Sequence, residues 1–120
     1  MSEFQRIYIV EDDASTRRAL VRWARLGGYD ARAFATATAF LESDVVTEGA
    51  GLILDLGLPD LEGAEVKRRL MASGRDLPTV FVSGFTDAEI ARALTGFAHP
   101  TVLRKPFDPD SLSAALVSLG

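Results

Sequence analysis

Five short apolar runs, each followed by a helical pattern, dictate most of what this 120-residue chain can become. The runs lie at residues 7–10, 29–34 (the weakest), 52–54, 79–82 and 102–103. Their brevity and β-branched content predict strands buried on both faces. Helical patterns fill the gaps. Leu20, Trp23 and Ala24 share an apolar face, on which Trp23 reads as core, and Gly27 with Gly28 ends that helix. Thr36 is placed to cap a helix carrying Phe40 and Leu41, and Gly63 opens one carrying Val66 and Leu70 that closes near Gly74. "TDAE" at 86–89 reads as a capping box before Ile90, Ala93 and Leu94. Asp108 as N-cap and Pro109 behind it start a last helix through Leu112, Ala115, Leu116 and Leu119.

Strand then helix, repeated along the chain, predicts an α/β fold whose parallel sheet carries helices on both faces. Right-handed crossovers put the C-terminal ends of all strands on one edge, where open α/β sheets bind ligands. The residues at those ends are therefore the candidates for chemistry. The first strand runs into Glu11, Asp12 and Asp13; the third, "LILD", ends in Asp55; the fourth, "TVFVS", in Ser83; the fifth, "VLRKP", in Lys105 and Pro106. Acids gathered at one edge repel each other and raise one another's pKa unless a positive charge holds them. Lys105 supplies one such charge and a metal ion would supply another. With no cysteine in the chain and only oxygen donors at the edge, Mg²⁺ suits the site better than zinc or copper. Leu52, Ile53, Leu54 and Leu56 flank Asp55 and would shield it from bulk water. Carboxylate, Mg²⁺, lysine and hydroxyl together suit phosphoryl transfer, and a carboxylate can itself be the nucleophile.

"VEDDAS", "LILDLGLPDLEG", "VFVSG" and "LRKPF" resemble, in order and spacing, the four signatures of the response-regulator receiver domain. The third and second are most similar to receivers of the nitrogen-fixation regulator type or of hybrid sensor kinases. The resemblance covers essentially the whole chain and implies one receiver domain over residues 1–120, with a flavodoxin-like (βα)5 fold and strand order 2-1-3-4-5. It implies that Asp55 accepts a phosphoryl group from a sensor histidine kinase or a histidine phosphotransfer protein, and that the domain catalyses only its own phosphorylation and dephosphorylation. Asp12, Asp55 and the Gly57 carbonyl would bind Mg²⁺, with Glu11 acting largely through water. Ser83 and Lys105 would hold the phosphoryl oxygens, and the Lys105–Pro106 bond would be cis. An output domain outside this chain and a phosphorylation-dependent dimer are compatible with it, and Gly120 falls where a linker would start.

Three positions depart from the family pattern. Val102 stands where the strand-five aromatic of the switch is usual, Ser83 replaces the usual threonine, and Gly57 offers no side chain two residues beyond the phosphoacceptor. A switch through Ser83 and Phe85, with strand five responding chiefly at Lys105, is the expectation. A net charge of −4 argues against direct nucleic-acid binding, and neither the N-terminal "MSEFQR" nor any apolar run suggests a signal peptide or membrane span, so a cytoplasmic protein is expected. Taken singly, each site residue has a plainer reading: Asp13 as a helix cap with Ser15 as its alternative, Asp55 as a turn residue, Ser83 as a satisfied hydroxyl, Lys105 as a surface lysine. Arg17, Arg18, Arg22 and Arg25 read as a solvated helix face that doubles as a candidate kinase-docking patch. His99, the sole histidine, reads as a loop residue rather than a phosphodonor. Two other functions remain in competition. A Mg²⁺-dependent phosphohydrolase with an aspartate nucleophile would want a second acid where Gly57 stands. A flavin protein would want a phosphate-cradling loop where "EDDAST" stands.

Overall fold

In the computed structural model, which describes residues 4–119, every expected strand and helix is present. The elements are β1 (Arg6–Val10), α1 (Ala14–Leu26), β2 (Asp30–Phe34), α2 (Ala37–Leu41), β3 (Ala50–Asp55), α3 (Gly63–Ala72), β4 (Thr79–Ser83), α4 (Asp87–Ala93), β5 (Thr101–Arg104) and α5 (Pro109–Leu119). Met1 to Glu3 of the N-terminal stretch, and Gly120 with the linker assigned to it, lie outside the described residues. The strands form one parallel sheet in the order β2-β1-β3-β4-β5. The apolar runs match the strands to within one or two residues at each end, and polar ends such as Asp55, Ser83 and Arg104 are still paired in the ladder.

Alternation along the strands divides the core in two. Tyr8, Val10, Leu52, Leu54 and Phe81 face α2, α3 and α4, where Phe40, Val66, Leu70 and Leu94 meet them. Ile7, Ile9, Ile53, Val80 and Val82 face α1 and α5, against Leu20, Ala24, Leu112 and Leu116. The central β3 is buried along its whole length. Trp23 is only half-buried, a correction to its reading as core: it stacks on Tyr29 at 6.1 Å, over the rim of this second cluster.

The helix ends follow the local chemistry. Asp13, not Ser15, caps α1, accepting from the Thr16 N–H at 2.8 Å and its hydroxyl at 2.7 Å. Thr36 caps α2, and Thr86 with Glu89 forms the reciprocal capping box of α4. Asp108 accepts from the Ser111 N–H at 2.7 Å at the start of α5. No residue within α4 is fully buried, so this helix is held less firmly than its neighbours.

Candidate functional site

Register and pleat bring the strand-end residues together. Val10 pairs with Leu54, which puts Glu11 level with Asp55. Glu11 continues the Ile7–Ile9 parity and Asp55 that of Ile53, so both carboxylates project on the α1/α5 side of the sheet edge. Ser83 pairs with Arg104, and its carbonyl accepts from the Lys105 N–H at 2.7 Å, which delivers Lys105 to the same edge.

The Lys105 ammonium lies between the two acids, 2.7 Å from Glu11 Oε1 and 3.2 Å from Asp55 Oδ2. The other Asp55 oxygen accepts from the Gly57 N–H at 2.9 Å, and the other Glu11 oxygen from the Asp13 N–H at 3.2 Å. Carboxylate oxygens of Glu11, Asp12 and Asp55 all fall within 4.8 Å of one another. Glu11 and Asp55 are buried while Asp12 faces solvent. Glu11 Oε1 is buried with no hydrogen-bond partner of ordinary geometry, leaving the Lys105 charge as its compensation. Three clustered carboxylates, one of them short of partners, and a single ammonium fit a hard divalent cation such as Mg²⁺.

Burial pushes the Glu11 carboxyl up to about 7, helped by the neighbouring Asp55 carboxylate. Burial also acts to raise Asp55, but the neighbouring Glu11 carboxyl, the Gly57 N–H and Lys105 prevail and hold it below the usual range. Folding therefore disfavours the charged form of Glu11 and favours that of Asp55. The Glu11 pKa is raised by folding, so its stabilising share is full below the unfolded value near 4.5 and disappears as pH rises through about 7. Asp55 works in the opposite sense, but only in the acid range below its ordinary value. The metal-free domain should accordingly lose on the order of 1–3 kcal/mol of stability between pH 5 and pH 8. Urea unfolding in chelator would measure the loss, and Glu11→Gln should flatten it; a wild-type midpoint that rises over the same window would contradict this assignment.

Ser83 is buried at the end of β4, and its Oγ accepts from the Phe85 N–H at 2.9 Å. The Phe85 ring leans over Gly57, where an added Cβ would meet its edge at 3.2 Å. The position two beyond Asp55 thus has a neighbour's ring against one side, although it is exposed and has no side chain of its own. Val102 lies away from the edge, in register with Phe81 and half-buried against the α2–α4 core. The Lys105–Pro106 peptide bond is cis.

Two contributors escaped the sequence reading. Arg17 is not merely part of a solvated face: it donates to the carbonyls of Glu11 at 2.9 Å and Asp12 at 3.3 Å, fixing the turn that bears the acids. Its position one turn into a helix that follows an acidic knot was the available signal. Asp60 is the second, with its carboxylate on the N-terminus of α2. Arg18, Arg22 and Arg25 are exposed beside Val21 and Leu26, on the β2 side of α1. The other side of α1 borders a groove of about 490 Å³ that opens next to Lys105, lined by Thr16, Leu20, Trp23, Phe107 and Leu112 among others.

The family model described as the response regulator receiver domain matches residues 7–117. Response regulator protein TmoT of Ectopseudomonas mendocina is 36% identical over 92% of this chain and 50% of its own length. Nodulation protein W of Bradyrhizobium diazoefficiens is 34% identical over 93% of this chain and 49% of its own. The chain thus spans about half the length of the curated relatives it matches. Among solved structures, FixJ-N superposes with a TM-score of 0.83 at 25% identity, covering 99% of this chain and 94% of that one. A beryllofluoride-activated receiver domain of DrrB has the same fold, with a TM-score of 0.81 at 20% identity and 97% of each chain covered. The acidic pocket, the sheet order and the family match converge: this chain belongs to the response regulator receiver domains, the phosphoacceptor modules of two-component signalling.

Proposed function

We propose that Asp55 is the phosphoacceptor and that residues 1–120 act as a single receiver unit. The observation that carries this reading is the setting of the Asp55 carboxylate: buried, ionised, with one oxygen on the Gly57 N–H and the other 3.2 Å from Lys105. An Asp55 oxygen attacks the phosphorus of a phosphohistidine; a P–O bond forms as the P–N bond breaks, and the imidazole nitrogen leaves with the bonding pair. Lys105 neutralises a phosphoryl oxygen, and Ser83 donates its hydroxyl proton to another. Mg²⁺, held by Asp12, Asp55 and the Gly57 carbonyl with Glu11 acting through water, would neutralise charge on the transferring group. The donor is a sensor histidine kinase or a histidine phosphotransfer protein. The groove that opens next to Lys105 and the arginine side of α1 are the two candidate surfaces for such a partner. Among the described residues no helix is long and apolar enough to cross a membrane. We place the domain in the cytoplasm, serving an output region outside this chain.

Ser83 cannot serve a phosphoryl oxygen with its present geometry unchanged. Rotating its Oγ toward Asp55 weakens the 2.9 Å bond from the Phe85 N–H, and Phe85 in turn leans on Gly57. The following helix, α4, has no fully buried residue within it and can follow at low cost. Val102 is short and stiff and cannot swing as an aromatic would. Adding Mg²⁺ and then beryllofluoride should therefore shift backbone amides at 55–57, at 83–87 and at Lys105, with little change at Val102. In the Mg²⁺ step, Asp12→Ala should weaken binding more than Glu11→Ala. Silence throughout 83–87 would refute the relay, and absence of any response to either ligand would refute the phosphoacceptor reading.

A further inference from the structure

In the β3–α3 loop that carries Gly57, Leu56 and Leu58 are buried in the core and Leu61 packs against it, while Gly57, Pro59 and Asp60 are exposed. The loop's side-chain hydrogen bonds to another element come from Asp60. Oδ1 of this carboxylate accepts from the Ala37 N–H at 3.1 Å, and Oδ2 accepts from the Thr38 N–H at 2.8 Å and the Thr38 hydroxyl at 2.6 Å. The partners are 22 and 23 residues away, at the start of α2. That helix already has a local cap, because the Thr36 hydroxyl accepts from the Ala39 N–H at 3.1 Å. The same turn is rigidly based, since Ala37 and Phe40 are fully buried in the core. It also joins the acidic edge directly, for the Glu11 N–H donates to the Phe34 carbonyl at 3.0 Å. Asp60 thus spans from the loop over β3 to the turn over β2, with the acids of β1 between them. Its hydrogen bonds from Thr38 and Ala37 hold its carboxyl down at about 2, so the brace stays charged at any working pH.

We infer that Asp60 is a positioning residue of the phosphoacceptor site, bracing the Gly57 loop against the N-terminus of α2 so that Gly57 stays fixed on Asp55. A cap for α2 alone would need no partner in this loop. A brace, by contrast, transmits the firmness of the α2 turn to Gly57, whose N–H holds one Asp55 oxygen and whose carbonyl is the proposed metal ligand. The metal arm of this inference rests on the phosphoacceptor reading; the bracing of Gly57 does not.

The test compares the wild-type domain with Asp60→Ala and Asp60→Asn, first without metal and then in a Mg²⁺ titration followed by amide shifts. Loss of charged hydrogen bonds in Asp60→Ala should speed amide exchange at Ala37 and Thr38 and, if the brace operates, at Gly57 too, by about tenfold. Mg²⁺ affinity should fall on the order of tenfold, as for outer partners of metal ligands. Asp60→Asn, which keeps one acceptor oxygen, should recover most of the Gly57 protection and affinity. Faster exchange confined to Ala37 and Thr38, with Gly57 exchange and Mg²⁺ affinity as in wild type, would overturn the inference and leave Asp60 a helix cap only. Should Asp60→Ala not fold, Asp60→Ser, whose single hydroxyl cannot replace both carboxylate oxygens, decides by the same two readings. A wild-type domain that binds no Mg²⁺ would defeat the phosphoacceptor reading, while metal-free exchange at Gly57 would still decide the brace.

Discussion

The domain should gain one phosphoryl group from a small acyl-phosphate donor in the presence of Mg²⁺, and Asp55→Ala should abolish that gain. Asp55 is the one acid of the cluster that is both buried and held ionised, with an ammonium 3.2 Å from one oxygen and a backbone N–H on the other. Glu11 is equally buried, but its carboxyl is pushed up to about 7, so near neutral pH it is less fully ionised than Asp55. Asp12 and Asp13 face water, and Asp13 is already committed to capping α1. Intact-mass measurement should show the added phosphoryl only on the wild type, with the adduct labile to base and hydroxylamine. The variant should remain folded, because Glu11 and Lys105 still pair at 2.7 Å and one repulsive neighbour is gone. Equal labelling of a folded Asp55→Ala protein would move the acceptor elsewhere in the cluster.

The acidic edge was legible in the sequence because its members sit one after another at the ends of apolar runs, and a parallel sheet brings such ends together. Helix starts were legible for a similar reason: Asp13, Thr36, Thr86 and Asp108 act on backbone within three residues of themselves. What sequence order could not carry were contacts between loops. Asp60 looks like a turn residue after proline, and only the folded sheet puts it on Ala37 and Thr38. Gly57 has no side chain, and only the fold brings Phe85, 28 positions later, against one side of it. Trp23 satisfies a helical apolar stripe, but the stripe is wider than the core it faces, so its ring lies at the rim of a groove. Apolar patterning specifies which side of an element is buried and leaves open how deep each residue sits.

Gly63 is the sharpest case of a residue whose local reading misses its cause. At the start of α3 it passes for a tolerated helix opener, and its backbone torsion is not the reason glycine stands there. The reason is proximity: an added Cβ would fall 2.3 Å from the Asp55 carbonyl oxygen and 2.9 Å from Leu56 Cα. Those are backbone atoms at the end of the central strand, so no rotamer change can clear them. In Gly63→Ala the start of α3 must move off β3, stretching the 3.1 Å bond from the Gly63 N–H to the Leu56 carbonyl. Overpacking and a weakened buried hydrogen bond together should cost about 2–4 kcal/mol, which for a domain of this size lowers Tm by roughly 10–20 °C. The displaced backbone is that of Asp55 itself, so phosphorylation should slow even at temperatures where the variant is folded. Gly84→Ala is the control: a Cβ there meets nothing within 4 Å, and stability should stay within about 0.5 kcal/mol of wild type. Urea unfolding and acyl-phosphate labelling of the two variants side by side would check both effects. Equal midpoints for Gly63→Ala and Gly84→Ala would mean that α3 can shift freely against β3, and that the helix does not fix the loop on which Asp55 depends.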